Sequence, residues 1–211
     1  MNAHVQIAMP SEASAAPRLH QGMGTIIVYA TSEQIEAMTL ATKIAVLKDG
    51  WLQQFGTPAE TYNSPVNMFV ADFMDSPAMN LIPASIEAEG NTLVARLERS
   101  GNAPIALGLN GMQNRLASHQ GKKVVFGFRP GALTDPDGAE RNATNIVTAE
   151  CQIEVVEPAG SDTFAVTHLG GVEVVARLRA DANVKPGQTA RLAFNLTRSV
   201  FFDPETENRI G

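Results

Sequence analysis

The sequence predicts an α+β fold in which a small α/β segment precedes an all-β, barrel-like part, and three observations carry that prediction. An apolar run, Ile26, Ile27, Val28, Tyr29 and Ala30, gives way to apolar residues at helical spacing, Ile35, Met38 and Ala41 or Thr42. Beyond about Ile82 the texture changes to short alternating runs: Val124, Phe126 and Phe128, then Cys151, Ile153 and Val155, then Leu192, Phe194 and Leu196. Turn residues separate those runs at Arg129-Pro130-Gly131, at residues 135–138, at Gly170-Gly171 and at Lys185-Pro186-Gly187.

Residues 1–17 are rich in Ala, Ser and Pro, lack a sustained period and are expected to form a loose leader. Residues 26–30 are apolar on both faces, as in a buried strand of a parallel sheet. Thr31 followed by Gln34 has the spacing of a capping box and is expected to open the first helix. Residues 44–47 form a second strand, Asp49-Gly50 a tight hairpin turn, and residues 51–55 the returning strand. Thr57-Pro58-Ala59-Glu60 supplies a cap, a proline at the first helical position and a carboxylate at the third. Ser64-Pro65 is expected to open the next helix in the same way, with Met68, Phe69, Phe73 and Met74 as its apolar side and Asp75-Ser76-Pro77 as its stop. In the β part, Gly170-Gly171 joins residues 164–169 to 172–178, because glycines accept the positive φ of a primed turn.

The chain has 211 residues, 44% hydrophobic and 18% charged, which excludes a highly charged disordered chain and leaves material for one large or two small domains. The net charge is −6, with three basic against seven acidic residues through Ile82 and 13 against 15 after it. Nucleic-acid binding is therefore disfavoured, since it needs clustered positive surface. Cys151 is the single cysteine, so neither an intrachain disulfide nor a multi-cysteine metal site is available. No apolar run reaches signal-peptide or membrane-span length, and the chain is expected to be soluble and cytoplasmic.

The stretch from Thr25 to Gly50, Thr-Ile-Ile-Val-Tyr-Ala-Thr-Ser-Glu-Gln and onward through Ala-Val-Leu-Lys-Asp-Gly, resembles the end of the nucleotide-binding domain of ABC-type sugar importer ATPases, maltose and glycerol-phosphate importers among them. The resemblance continues through Gln-Phe-Gly-Thr-Pro-Ala-Glu-Thr-Tyr at 54–62 and through residues 65–81. Gly-Phe-Arg-Pro-Gly at 127–131, Val-Glu-Pro-Ala-Gly-Ser-Asp-Thr at 156–163, His-Leu-Gly-Gly-Val at 168–172 and Phe-Phe-Asp-Pro-Glu-Thr at 201–206 resemble the regulatory domain of the same family, an OB-like barrel of the transport-associated (TOBE, MOP-like) kind. Motif order is preserved from about Arg18 to the end. The resemblance implies a leader at 1–17, a C-terminal remnant of the nucleotide-binding domain at 18–82 and a regulatory β-barrel at 83–211.

The motifs that hold nucleotide do not occur. Gly-x-x-x-x-Gly-Lys-Ser/Thr, whose amides cradle phosphates while its Lys and hydroxyl serve phosphate and magnesium, is absent; the pair Gly121-Lys122 lacks the earlier glycine and precedes Lys123. There is no Leu-Ser-Gly-Gly-Gln signature and no apolar strand ending in Asp-Glu. Where the family has Thr-His-Asp-Gln, with the His reaching the γ-phosphate, this chain has Thr31, Ser32, Glu33 and Gln34. A serine hydroxyl is short and does not titrate near pH 7, so Ser32 is a degenerate form of that switch position. Its plain reading is a residue where a helix begins. The family's Ala-Asp-Arg reads Ala41, Thr42, Lys43.

Other candidates each admit two readings. Gly160, Ser161, Asp162 and Thr163 could hold an anion or sugar hydroxyl through loop amides, or form a hairpin turn with Asp162 capping local amides. Arg129 could face a regulatory ligand or partner, or be an exposed strand-end arginine. His20, His119 and His168 lack metal-ligand spacing, and His168 reads as an exposed strand-end residue. Cys151 reads as core, and Asp203-Pro204-Glu205-Thr206 as a type I turn.

Together these readings give the expected function: a truncated ATP-binding subunit of a carbohydrate-type ABC importer that keeps its regulatory and dimerisation domain and does not hydrolyse ATP alone. The resemblance implies ATP and magnesium as cofactors of intact relatives only, a homodimer as the expected assembly, and permease subunits at the inner membrane as partners. The alternative is a free-standing OB-type module binding an oligosaccharide or small oxyanion.

Overall fold

The computed structural model describes residues 5–8, 26–74, 77–99, 101–140 and 142–211. Strand β1 (Val5–Ala8) pairs in parallel with β2 (Ile26–Tyr29), Val5 opposite Ile26 and Ala8 opposite Tyr29. The pairing is parallel, as the apolar run predicts, and it recruits four residues of the segment expected to be a loose leader. The rest of that segment lies outside the described residues. Ile26 and Val28 are exposed, and no element among the described residues covers their face.

Helix α1 (Gln34–Leu40) leads to the hairpin of β3 (Ile44–Lys48) and β4 (Trp51–Gly56). Asp49 and Gly50 both have positive φ, 51° and 82°, as a two-residue primed turn requires. Helix α2 (Pro58–Asn63) carries the complete capping box: the Glu60 amide donates to Thr57 Oγ1 at 3.2 Å and the Thr57 amide to Glu60 Oε2 at 2.7 Å. The following helix, α3 (Met68–Phe73), starts later than Ser64-Pro65 predicts. Ser64 closes α2, its amide donating to the Glu60 carbonyl, and Asn67 is the cap of α3, accepting from the Val70 amide at 3.0 Å.

Eleven further strands and a short α-helix follow among the described residues. These are β5 (Asn80–Glu89), β6 (Thr92–Arg99), β7 (Asn102–Gly108), α4 (Gln113–Leu116), β8 (Lys123–Phe128), β9 (Leu133–Thr134), β10 (Ile146–Gln152), β11 (Val155–Ala159), β12 (Asp162–Leu169), β13 (Val172–Arg179) and β14 (Thr189–Asn195), with β15 (Val200–Phe202) closing the order. They form a five-stranded sheet, β15-β8-β5-β6-β7, and two three-stranded sheets, β11-β12-β13 and β10-β14-β9. All three close on one apolar core that includes Ile82, Leu97, Phe126, Ala176 and Phe194. The expected boundary between residues 82 and 83 falls inside β5, where Ile82 pairs with Phe126 and Pro83 with Val125.

The alternation in residues 124–128 has a specific cause. Val124, Phe126 and Phe128 face the large core, while Val125, on the opposite side, joins a second core with Ala71, Met79, Val200 and Phe202. Strand β8 is thus buried on both faces, and β15 divides likewise, Phe201 to one core and Phe202 to the other. Neighbouring positions on α3 make the same division, about 100° apart on the helix: Ala71 packs on β8 and β15, and Val70 joins Ile44, Val46 and Met74 in the small α/β core. Asn80 ties the five-stranded sheet to β13 by mimicking a strand, its amide donating to the Val175 carbonyl and its oxygen accepting from the Val175 amide, both at 2.8 Å. Gly170 is required at the β12–β13 turn. Its φ is +60°, and a Cβ there would lie 2.7 Å from Ile82 Cγ2 and from the Pro83 carbonyl oxygen.

Candidate functional site

At the position that the resemblance matches to a histidine, the structure sets an exposed Ser32 just past the end of β2. The capping box predicted there does not form; Glu33 is the cap of α1 and makes no side-chain cap bond. Thr31 is drawn elsewhere, donating to Glu36 Oε2 at 2.8 Å while accepting from the Glu33 amide at 3.0 Å. Tyr29 also donates to Glu36 Oε2, at 2.9 Å. Desolvation and then that carboxylate push the Tyr29 phenol above its ordinary value.

Arg129 is not the exposed strand-end residue of the plain reading: it is only 8% exposed. It projects from the end of β8 across the junction with the α/β part, Nη1 donating to the Ala71 carbonyl at 2.8 Å and Nη2 to the Tyr62 carbonyl at 3.0 Å. Its guanidinium lies 4.3 Å from the centroid of the Tyr62 ring. One planar fork thereby fastens the last turn of α2 and the middle of α3 to the barrel.

The Asp203-Pro204-Glu205-Thr206 turn secures the same junction from the other side. It is wider than a type I turn, closed by the Glu207 amide on the Asp203 carbonyl at 2.9 Å, with Glu207 at φ 59°. Asp203 Oδ1 accepts from the amides of Thr206 and Glu205, which hold its carboxyl below the usual range. The chain leaving this turn stitches the two parts together. The Met68 amide donates to the Glu207 carbonyl, the Arg209 amide to the Val66 carbonyl, and the Ile210 amide to the Phe201 carbonyl, at 3.0, 2.9 and 2.8 Å. The sequence offered the turn but not the stitch, whose partners lie far away in the chain.

Gly160 and Ser161 form the tip of the β11–β12 hairpin, Gly160 with φ 72°, and Ala159 pairs with Asp162. Asp162 does not cap amides. Its Oδ2 accepts from Arg177 Nη2 at 2.7 Å and from Ser161 at 3.2 Å, and the Arg177 bond is the main cause holding its carboxyl low. His168 is exposed on β12, as read, with its Nδ1 2.8 Å from Glu154 Oε1. Cys151 is buried in the large core, and desolvation pushes its thiol up to about 11. Among the described residues no group of three or more His, Cys, Asp or Glu could hold a metal ion. No helix among them is long and apolar enough to cross a membrane.

Of the residues singled out from sequence, the fold brings Arg129 and Asp162 to one place, a cleft of about 650 Å³ between the helices and the barrel; Gly160 and Ser161 stay outside it, and Ser32 is elsewhere. Its walls include Tyr62 and Ser64 from the α2 end and Arg129, Arg177 and Arg198 from the β part.

The model of the MalK OB fold domain family matches residues 76–133, and that of the TOBE domain family residues 145–200. The ABC transporter ATP-binding protein YcjV of Escherichia coli O6:H1 is 38% identical over 207 residues, 98% of this chain and 53% of that protein. The sn-glycerol-3-phosphate import ATP-binding protein UgpC of Cupriavidus necator is 36% identical over 197 residues, 91% of this chain and 50% of that protein. The chain spans about half the length of the curated relatives it matches. Among solved structures, the cytoplasmic molybdate-binding protein ModG is similar at a TM-score of 0.38 and 20% identity, over 59% of this chain and 96% of that one, too distant to bear on ligand or role. With both domains in order and ABC transporter ATP-binding proteins matched along nearly its whole length, the chain belongs with that family, in the stretch that corresponds to the C-terminal part of a sugar-importer ATP-binding subunit.

Proposed function

We propose that this chain is the regulatory and assembly portion of the ATP-binding side of a carbohydrate-type ABC importer, and that by itself it does not hydrolyse ATP. The observation that carries the reading is the ordered pair of domains at 76–133 and 145–200 on a chain without a phosphate loop, signature or Asp-Glu strand. Ser32 supports it: a short, exposed hydroxyl stands where relatives use an imidazole, and the neighbouring Thr31 is held by Glu36. In this reading the stretch from residue 18 to the start of β5 is the remnant of the nucleotide-binding domain, docked through Arg129 and the C-terminal stitch on a regulatory barrel that begins with β5 rather than at residue 83. The assembly works at the cytoplasmic face of the inner membrane against a permease.

The assembly is a homodimer, and exposed apolar side chains give it a surface. Val46 is 2% exposed and belongs to the α/β core, but Leu47, Trp51, Leu52 and Phe55 on the hairpin are open, Trp51 at 76% and Phe55 at 64%. Covering a few hundred Å² of apolar surface at about 25 cal/mol per Å² offers several kcal/mol before association entropy is subtracted. Light scattering on the full chain is expected to give a dimer at tens of micromolar. Retention of the dimer in W51E/F55E assigns the interface to the barrel, and a monomer assigns it to the hairpin. A monomeric unsubstituted chain would remove the assembly role.

A further inference from the structure

The β3–β4 hairpin is apolar on both faces, and the fold covers one of them. Ile44 and Val46 enter the small α/β core with Val70 and Met74. On the other face Ala45 stands opposite Phe55 and Leu47 opposite Leu52, and all four are exposed. A bulge builds this face. Val46 pairs with Gln54 and Leu47 with Leu52, so Gln53 is the extra residue, and it brings Leu52 and Phe55, three positions apart, to the same side. Strict alternation would turn one of them inward. The one charged residue of the two strands, Lys48, serves the covered side, its Nζ 5.0 Å from the centroid of the Phe69 ring. The open face therefore carries no charge.

Exposed apolar surface is concentrated in this part of the chain. Of the nine large apolar residues exposed among the described residues, eight lie between Ile26 and Val66, and the barrel strands expose only Val155. The strands there are incomplete as sheets. β1–β2 and β3–β4 are two-stranded, so each of the four strands has an edge without a strand partner among the described residues. Two strands are marginal alone, and an open edge is a template for another strand.

The length of the relatives points to what covers this surface. This chain matches 53% of YcjV and 50% of UgpC. The other half of such a subunit holds the beginning of the α/β domain whose end this chain resembles, and its strands can both cover the open face and extend the open edges. A second copy fits less well. Stacked face to face, it would bury Leu47, Leu52 and Phe55 but would leave the edges of both two-stranded sheets unpaired. A stable interface covers about 800 Å² on each partner, more than these four side chains supply; edge pairing and cover over Ile26 and Val28 bring the total into that range.

We infer that the outer face of the β3–β4 hairpin docks a separate polypeptide, an α/β companion equivalent to the first half of an ABC ATP-binding subunit. The identity of that companion rests on the importer reading, whereas the open face does not. Any nucleotide chemistry in the pair comes from the companion's phosphate loop, and this chain contributes the barrel. The homodimer is then held by the barrel, the outcome in which W51E/F55E keeps the dimer.

The test is co-expression of the tagged full chain with the first half of Escherichia coli YcjV, the part of that protein outside the matched stretch. Soluble YcjV half is expected to co-purify one-to-one by light scattering, and hydrogen exchange in residues 44–56 should be slower in the complex than in the free chain. L47E/L52E should cut recovery about tenfold or more, by placing two charges in an apolar contact, while V155E on the barrel leaves it unchanged. Both leucines are 58% exposed, so the fold tolerates the change; circular dichroism checks this, and L52Q is a milder variant with a smaller loss in the same direction. No recovery of the YcjV half with the unsubstituted chain, or equal recovery with folded L47E/L52E, would overturn the inference. A homodimer of the free chain that is lost in L47E/L52E would overturn it too, by giving the face to a second copy. A one-to-one complex formed by a chain that is monomeric when free supports the inference and removes only the homodimer of the importer reading.

Discussion

The Arg129 guanidinium stacks on the Tyr62 ring at 4.3 Å while donating to the carbonyl of that same residue at 3.0 Å, so one side chain satisfies both the face and the main chain of the α2 terminus. Its second arm reaches Ala71, a helix away. This arginine, together with the 207–210 stitch, converts two segments of different texture into a docked pair.

Removing that fork should loosen the junction. R129A leaves the Ala71 and Tyr62 carbonyls without their charged donor, a loss of about 2–3 kcal/mol for hydrogen bonds to a charged group. R129K should recover less than half of it, because an ammonium cannot span both carbonyls and stack as a plane. Urea denaturation measures the stability, and hydrogen exchange should show faster opening in residues 58–74. A change under about 0.5 kcal/mol would place the docking energy elsewhere.

Acid should weaken the barrel through Asp135. Burial raises this carboxyl, but bonds from the Arg179 amide and guanidinium and from the Gly138 amide outweigh it and hold it below the ordinary value. A carboxyl lowered by folding contributes stability that is complete above its unfolded value, about 4, and is lost as pH falls through the folded value. Stability should therefore be flat near neutrality in this respect and fall below about pH 4. D135N should be less stable at pH 7 and show a shallower acid slope. An unchanged slope in thermal melts from pH 7 to pH 3 would contradict the assignment.

How legible these features were in the sequence depended on the range of the interactions. The Asp49-Gly50 turn, the Thr57–Glu60 box and the Gly170-Gly171 hairpin were readable because each is decided within four residues. The Thr31–Gln34 box failed because Glu36 captures the Thr31 hydroxyl, and the Ser64-Pro65 start failed because Asn67 is the better-placed acceptor. Arg129 was visible as a candidate, yet its burial was not, since its carbonyl partners lie 58 and 67 positions away. The 207–210 stitch carried no local signal at all, since its partners at Val66, Met68 and Phe201 come from other elements of the fold.

Cys151 should be inert in the folded chain. It is buried, and its thiol is pushed up to about 11, so the thiolate that reacts is scarce at pH 8. Labelling by a disulfide reagent at pH 8 should be negligible in buffer and complete in denaturant. Rapid labelling of the native chain would mean that the β10–β14 region opens far more often than its core packing implies.

The most direct measurement of the central claim is equilibrium binding and turnover of ATP by the purified full chain with magnesium. Phosphoryl transfer rests on positioned phosphates and neutralised charge, and this sequence has neither the glycine-rich cradle nor the magnesium-binding hydroxyl and carboxylate. The account predicts no saturable binding of a fluorescent ATP analogue at micromolar concentration that requires magnesium, and phosphate release no faster than from a boiled control. Magnesium-dependent micromolar binding, or turnover above the boiled control, would contradict the account.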